Sequence, residues 1–430
     1  MSLPAGPREP PVVQTLHWLL RPISFLESCR RRFGDTFSVR FLGFRSPTVM
    51  VSAPEAIRAL YGDPQHGLPP GRTFALRPIL GPRSLLLLEG REHLARRRLM
   101  LPPFHGARMR EYESTVREVA AREADGWPEG TPFAIHPYMQ RLTLEVILRA
   151  VFGVSDAARR TVLAERVGRL LAETASARLQ FGVLLSRRLG APDPLERLGA
   201  LRAEIDALLD AAIAERRADP REDILSLLVA ARFEGGEPMD DAEIRDQLMT
   251  LLLAGHETTA TGLAWTFDLL VRHPHVLERL VAAVDAGDAA HLRATVTESL
   301  RLRPVVALAG RRLSSPMRVD GYELPPGTDV TPAIWLAHTR ADRYPEPYAF
   351  RPERFLDGAP ATSAWVPFGG GVRRCIGAAF AEMEMRVVLA ETLRRRSLRA
   401  VSDQAERVAR RNVTFSPAHG TRVIATPRQR

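Results

Sequence analysis

In the first fifty residues apolar and polar positions alternate along two short stretches, Thr36 to Phe41 and Thr48 to Ser52, and Gly43 and Pro47 between them predict a hairpin. The period then lengthens. Over 106–125, 137–152, 156–180 and 195–217 apolar side chains recur every three or four residues, broken by Gly and Pro, which predicts a helix-rich middle. From Val305 to Ile334 the pattern turns β-like around Pro325, Pro326 and Gly327, and Val413 to Ile424 predicts a final hairpin. Strand material at both ends that pairs in one sheet would enclose the helices between them. The expectation is therefore a mainly α protein with a small β region (α+β), a single domain over 1–430 with an N-terminal tail of about residues 1–12.

The longest periodic segment runs from Asp240 to Arg272 and is stopped by Pro274. Asp240 with Glu243 predicts a capping box at its start. One face collects Ile244, Leu248, Leu251, Gly255, Thr258, Gly262, Trp265 and Leu269, so bulky residues at both ends give way to small ones in the middle. A flat ligand lying against Gly255 and Thr258 would fill that gap; a close helix crossing at the glycine is the alternative.

Composition narrows the class without naming a chemistry. With 45% hydrophobic and 26% charged residues the chain reads as an ordinary globule. It has no apolar run long enough for a membrane span and no signal-peptide pattern, so a cytoplasmic protein without a membrane anchor is expected. The net charge is +10, yet every basic side chain apart from histidine is arginine, and the arginines are dispersed among acids with no basic run interleaved with aromatics. That argues against a nucleic-acid partner. Cys29 and Cys375 are the only cysteines, too few for a disulfide framework.

Chemistry concentrates at Phe368-Gly-Gly-Gly-Val-Arg-Arg-Cys-Ile-Gly377, a glycine-rich loop that delivers Cys375 just before a helical pattern beginning near Ala378. Loop N–H groups, the positive end of that helix, Arg373 and Arg374 all favour a thiolate. A structural zinc site would want more Cys or His nearby and an iron–sulfur cluster four cysteines, whereas one thiolate suffices as the axial ligand of a haem iron. Elsewhere Glu298 and Arg301 share one face of a helix that Pro304 must end, and Arg354 can complete a buried charge network with a structural role. His93 and Arg97, spaced i, i+4, point from one side of a helix over about 92–102 and can grip an anion.

Phe368, Gly371, Arg373, Cys375 and Gly377 match the F-x-x-G-x-R-x-C-x-G signature, and the chain resembles the cytochrome P450 superfamily of haem-thiolate monooxygenases, soluble bacterial type. Ala254-Gly-His-Glu-Thr-Thr259, Glu298-Ser-Leu-Arg301 and Phe350-Arg-Pro-Glu-Arg-Phe355 match three further family motifs in the family's order. The resemblance implies haem b ligated by Cys375, with His93, Arg97, Arg311 and Arg373 on its propionates and Phe368, Gly369, Gly377, Ala254 and Gly255 against the ring. Thr258 and Glu257 become the proton-delivery pair, because splitting an O–O bond needs two protons where bulk water is excluded. The family layout puts Phe74, Leu76, Leu251, Ala254, Thr258, Val305, Val306, Ala307, Leu308 and Phe415 around the substrate, an apolar wall suited to a terpenoid, steroid or fatty-acid-like molecule. Without a flavin or iron–sulfur segment of its own, the protein is expected to take electrons from a ferredoxin and its reductase, docking through Arg96, Arg98 and Arg374, and to work as a monomer. The rival readings are a peroxide-driven peroxygenase or isomerase on the same scaffold, and a non-enzymatic haem sensor or carrier.

Overall fold

The computed structural model describes residues 3–44, 46–68, 76–106, 108–153, 157–175, 195–358, 363–411 and 413–429. Its contacts divide the chain into two compact units, one built from 1–69, 116–140 and 258–430, the other from 70–115 and 141–257. The division falls inside three continuous helices, Arg108–Asp125, His136–Phe152 and Asp241–Arg272.

The predicted helical stretches are there: Arg108–Asp125, His136–Phe152, Ala157–Ala175 and Leu195–Ala218. The predicted extension to residue 180 lies outside the described residues. All named strands belong to the first unit. Thr36–Val39 and Thr48–Val51 form the expected antiparallel hairpin, with Thr36 opposite Val51. Thr48–Val51 then pairs in parallel with Asp329–Pro332, which also pairs with Arg311–Arg312, so the first strands join the middle of the sequence in one four-stranded sheet. On one side of that sheet pack Ile57, Leu60, Val330 and Ile334, and Trp18, Phe25, Leu26, Phe37 and Phe415 form a second apolar cluster.

The final hairpin is a correction. Thr414–Pro417 turns back onto Val408–Arg411, while Arg422–Pro427 pairs with Arg396–Ala400 and Pro132–Ala134 in another sheet. Gly420 and Thr421, at φ +74° and +56°, redirect the chain between them. A two-residue period marks a strand but not its partner. The residues before the first helix, Pro11–Leu20, are also held in place, the Ala5 carbonyl accepting the Ser38 N–H at 3.0 Å.

The central helix spans Asp241–Arg272, 32 residues. Asp240 caps it, its Oδ1 accepting the Glu243 N–H at 2.8 Å, but the box is half formed because the buried Glu243 carboxylate takes Arg96 instead, at 2.7 Å. Beside the apolar face runs a buried polar one. Asp246 accepts the Arg83 N–H and the Arg202 guanidinium, Gln247 bonds Leu85 N–H and the Arg83 carbonyl, and Thr250 meets Ser84 at 2.7 Å. These contacts fix residues 83–85, the approach to the helix Gly90–Met100 that carries His93 and Arg97.

Candidate active site

Within the first unit the chain from Val366 to Gly377 closes on itself. Gly369 N–H donates to the Val366 carbonyl and Cys375 N–H to the Phe368 carbonyl, each at 3.0 Å, and a 3₁₀ turn over Gly371–Arg373 sets the sulfur at the exposed tip. Tyr61 explains two of the glycines. A Cβ at Gly370 would overlap the Tyr61 ring and one at Gly371, whose φ is +63°, the Tyr61 carbonyl, so only glycine lets the loop lie this close. The helix Ala378–Arg395 starts directly behind Cys375.

Arg311 belongs to this loop. Its guanidinium is buried, stands 4.9 Å over the Tyr61 ring, and donates to the carbonyls of Ala309 and Gly310, with Gly370 at 3.5 Å. Among the described residues no carboxylate pairs with it, and burial pulls its pKa down. A buried cation that meets carbonyl acceptors at the edge of the cysteine loop is suited to an anionic ligand that reaches the loop.

Beneath the loop the predicted charge network is complete. Arg301 and Glu298 are fully buried and joined twice, Nε to Oε2 at 2.6 Å and Nη2 to Oε1 at 2.8 Å. The remaining Arg301 hydrogens go to the carbonyls of His338, Pro347 and Ala349, so all five donors are used. Arg354 reaches Glu298 at 3.3 Å and the Arg351 N–H adds 2.9 Å. Its structural role in the sequence reading agrees with this geometry.

One member of the network gave no sequence signal. His338, with no exposed surface, accepts the Val366 N–H on Nε2 at 2.9 Å and faces the Arg301 carbonyl through Nδ1 at 3.0 Å. An Nε2 that accepts leaves the proton on Nδ1, so this neutral tautomer joins the charge network to the first residue of the cysteine loop. Burial pushes its pKa down to about 3. The unfolded chain binds a proton here below pH 6.5 and the folded one does not until about 3, so this histidine removes stability as pH falls through that window. At pH 5 its share is about 2 kcal/mol. Urea unfolding at pH 7 and pH 5 should therefore show a drop in wild type that is smaller by about that amount in His338→Gln; equal drops would contradict the assignment. The variant comparison is needed because buried Glu384, held well above the ordinary carboxylate range by burial, acts with the opposite sign.

In the second unit the helix Gly90–Met100 presents His93, buried, and Arg97, half-buried, one turn apart as predicted. On the central helix a Cβ at Gly255 would lie 2.6 Å from Cδ1 of Ile147. The end of the Ile147 side chain therefore lies against this glycine. Ala254 is exposed, Glu257 and Thr258 half-buried, and Leu251 buried on the same helix. His256 turns inward to Thr143 at 3.0 Å, where burial lowers its pKa to about 4.

Leu76, Val306 and Leu308 are half-buried and Val305 is buried. Phe415 and Ala307 are more deeply buried. Both sit in the Trp18 cluster, the Phe415 ring 5.5 Å from Trp18 and its carbonyl accepting the Trp265 Nε1–H at 2.7 Å, so they are core. Phe74 lies outside the described residues. Of the arginines expected to dock a donor, Arg96 pairs with Glu243, Arg98 pairs at the surface with Glu234, and Arg374, next to Cys375 in the chain, is exposed. Arg373 and Phe368 are half-buried within the loop, and neither Gly369 nor Gly377 is crowded.

A loop-borne thiol over a buried Glu–Arg–Arg lock defines a haem-thiolate class of protein, and comparison with known proteins agrees. The sequence profile of the cytochrome P450 family matches residues 4–418, and the chain belongs to that family. It is 43% identical over 436 residues to cytochrome P450 135B1 of Mycobacterium tuberculosis, covering 98% of this chain and 91% of that one. Cytochrome P450 138 of the same organism is 36% identical over 431 residues, covering 99% and 96%. Among solved structures, retinoic acid-bound cyanobacterial CYP120A1 superposes with a TM-score of 0.84 at 26% identity, over 99% of this chain and 100% of that one. The cytochrome P450DA haem domain gives 0.85 at 25% identity, over 99% and 98%. The protein is a P450 monooxygenase with haem b as its cofactor. Arg311, buried against the cysteine loop at Gly370 and with no carboxylate partner among the described residues, fits that dianionic group.

Proposed function

We propose that Cys375 is the axial thiolate and that the protein oxygenates a hydrophobic small molecule of the terpenoid, steroid or fatty-acid class, with electrons from a ferredoxin and its reductase. The observation that carries this is the exposed Cys375 sulfur held by a Tyr61-backed loop next to the unneutralised Arg311. When bound, the haem activates molecular oxygen so that one atom enters the substrate and the other leaves as water, and thiolate donation favours the O–O cleavage. Arg311, Arg373, His93 and Arg97 would hold its carboxylates. Thr258 Oγ1 would hold an ordered water, and the Glu257 carboxyl would carry protons to it from solvent. Leu76, Leu251, Ala254, Val305, Val306 and Leu308 supply apolar surface that selects by shape. Arg374 supports a basic docking site for an acidic electron donor. Three helices running through the division of the chain support a single domain, and we assign it to the cytoplasm as a monomer.

The test is a coupling measurement. In Thr258→Ala, electron consumption should continue while product per electron falls by about a hundredfold, the range of a lost proton-delivery group. A variant as tightly coupled as wild type would remove Thr258 from the mechanism. Candidate substrates are screened on the wild-type holoenzyme by the spin-state shift they cause.

A further inference from the structure

Tyr61 touches both the cysteine loop and Arg311. It lies in the last turn of the helix Pro54–Gly62 and is buried in the apolar cluster that holds Ile57, Leu60, Val330 and Val366. Val366 accepts the Gly369 N–H at the start of the loop, so the loop and the helix share one packed base. Three parts of the tyrosine are used separately. A Cβ on Gly371 would meet its carbonyl, and one on Gly370 the edge of its ring. The face of the ring lies 4.9 Å from the Arg311 guanidinium carbon. The hydroxyl donates to the Ala309 carbonyl at 3.3 Å, the same oxygen that takes Arg311 Nη1 at 3.2 Å.

The guanidinium is thereby fixed at one corner. Nη1 donates to Ala309 and to Gly310 at 2.9 Å, whereas Nη2 has only Gly370 at 3.5 Å and Nε has no acceptor among the described residues. Arginine takes a carboxylate side-on, through two parallel N–H bonds. The pair left for one is Nε and Nη2, on the edge that meets the loop at Gly370. A guanidinium on a flexible stem swings off such a direction unless its plane is held, and an aromatic face holds it most strongly where water is excluded, as here with Arg311 5% exposed. An aliphatic side chain would fill the same space without that attraction.

We infer that Tyr61 is a positioning residue for haem: its ring face aims the open edge of Arg311 along the cysteine loop and so sets how firmly the haem carboxylates are retained. The inference rests on the assignment of Arg311 to those carboxylates.

Haem transfer from the ferric holoprotein to excess apomyoglobin reads that retention without any turnover. Arg311→Met should release haem about tenfold or more faster than wild type, the loss of a bidentate charged contact. Tyr61→Phe keeps the ring, gives up one long hydrogen bond and should stay within about twofold of wild type. A trifluorinated phenylalanine at this position is the decisive replacement, because it keeps the shape of Tyr61→Phe, and with it the packing against Gly370 and Gly371, while fluorine drains the negative face of the ring. It should release haem about fivefold faster than Tyr61→Phe, and in the Arg311→Met background it should change nothing. Equal release from the fluorinated protein and Tyr61→Phe, with Arg311→Met still fast, would overturn the role of Tyr61 and leave Arg311 on the haem. The same acceleration with and without Arg311 would also overturn it, by showing that the ring acts through packing. Release from Arg311→Met at the wild-type rate would take Arg311 off the carboxylates, and this inference with it.

Discussion

Cys375→Ser is expected to fold like wild type and to lose oxygenation by about a thousandfold or more, equivalent to about 4 kcal/mol of barrier. The reason is local. The loop is set by backbone bonds, Cys375 N–H to Phe368 and Gly369 N–H to Val366, and by the Tyr61 surface under Gly370 and Gly371, none of which involves the sulfur. The side chain is exposed, so an oxygen in its place should leave stability within about 0.5 kcal/mol. What changes is donor chemistry, because a hydroxyl stays protonated where a thiol ionises. The reduced, carbon-monoxide-treated protein should lose the red-shifted Soret band of thiolate ligation. Cys29→Ala is the control. That thiol is buried and burial pushes its pKa up to about 12, so it stays neutral and its removal should leave the band in place. A band that survives in Cys375→Ser would assign the ligand elsewhere.

Arg301→Lys carries the largest expected cost in stability. The guanidinium uses all five donors, two on Glu298 and one each on the carbonyls of His338, Pro347 and Ala349, and its plane lies 4.8 Å over the Tyr344 ring. An ammonium keeps the charge but offers three hydrogens from one point, so it cannot serve Glu298 and three carbonyls at once. Breaking a buried pair in this way costs about 3–5 kcal/mol, a large part of the roughly 5–15 kcal/mol that holds a domain together. Expression without soluble protein would fit that figure but not measure it. Arg354→Gln therefore accompanies it, removing a side chain at the edge of the network, 3.3 Å from Glu298 and partly exposed, for about 1 kcal/mol. Denaturant midpoints should rank wild type, Arg354→Gln, Arg301→Lys, and equal stability of wild type and Arg301→Lys would refute the hub.

The pattern of apolar positions located the helices because each buries one stripe, and the 32-residue central helix came out within a residue of its observed start. It failed where a strand's partner mattered, at Thr414–Pro417, since periodicity says nothing of which edge is open. The cysteine loop and the Glu298–Arg301 pair were legible because each packs its chemistry into a few consecutive residues. His338 was not, being a single histidine whose meaning lies in two backbone groups far along the chain. Asp246, Gln247 and Thr250 escaped as well, because a polar face on a helix ordinarily signals solvent, and here it anchors residues 83–85.

The Arg301 hub also sets an order of assembly. Its carbonyl acceptors lie 37, 46 and 48 residues downstream, so the guanidinium cannot shed its water until the intervening chain has closed on it. Closing a loop of that size costs about 3 kcal/mol of chain entropy before any of these bonds form. Collapse that buries the local Glu298–Arg301 pair early leaves three guanidinium hydrogens without acceptors, which steers the chain away from compact misfolds of this region. The arginine is thus a checkpoint as well as a clamp: the helix Ala289–Leu302 stays hydrated at its end until residues 338–349 arrive.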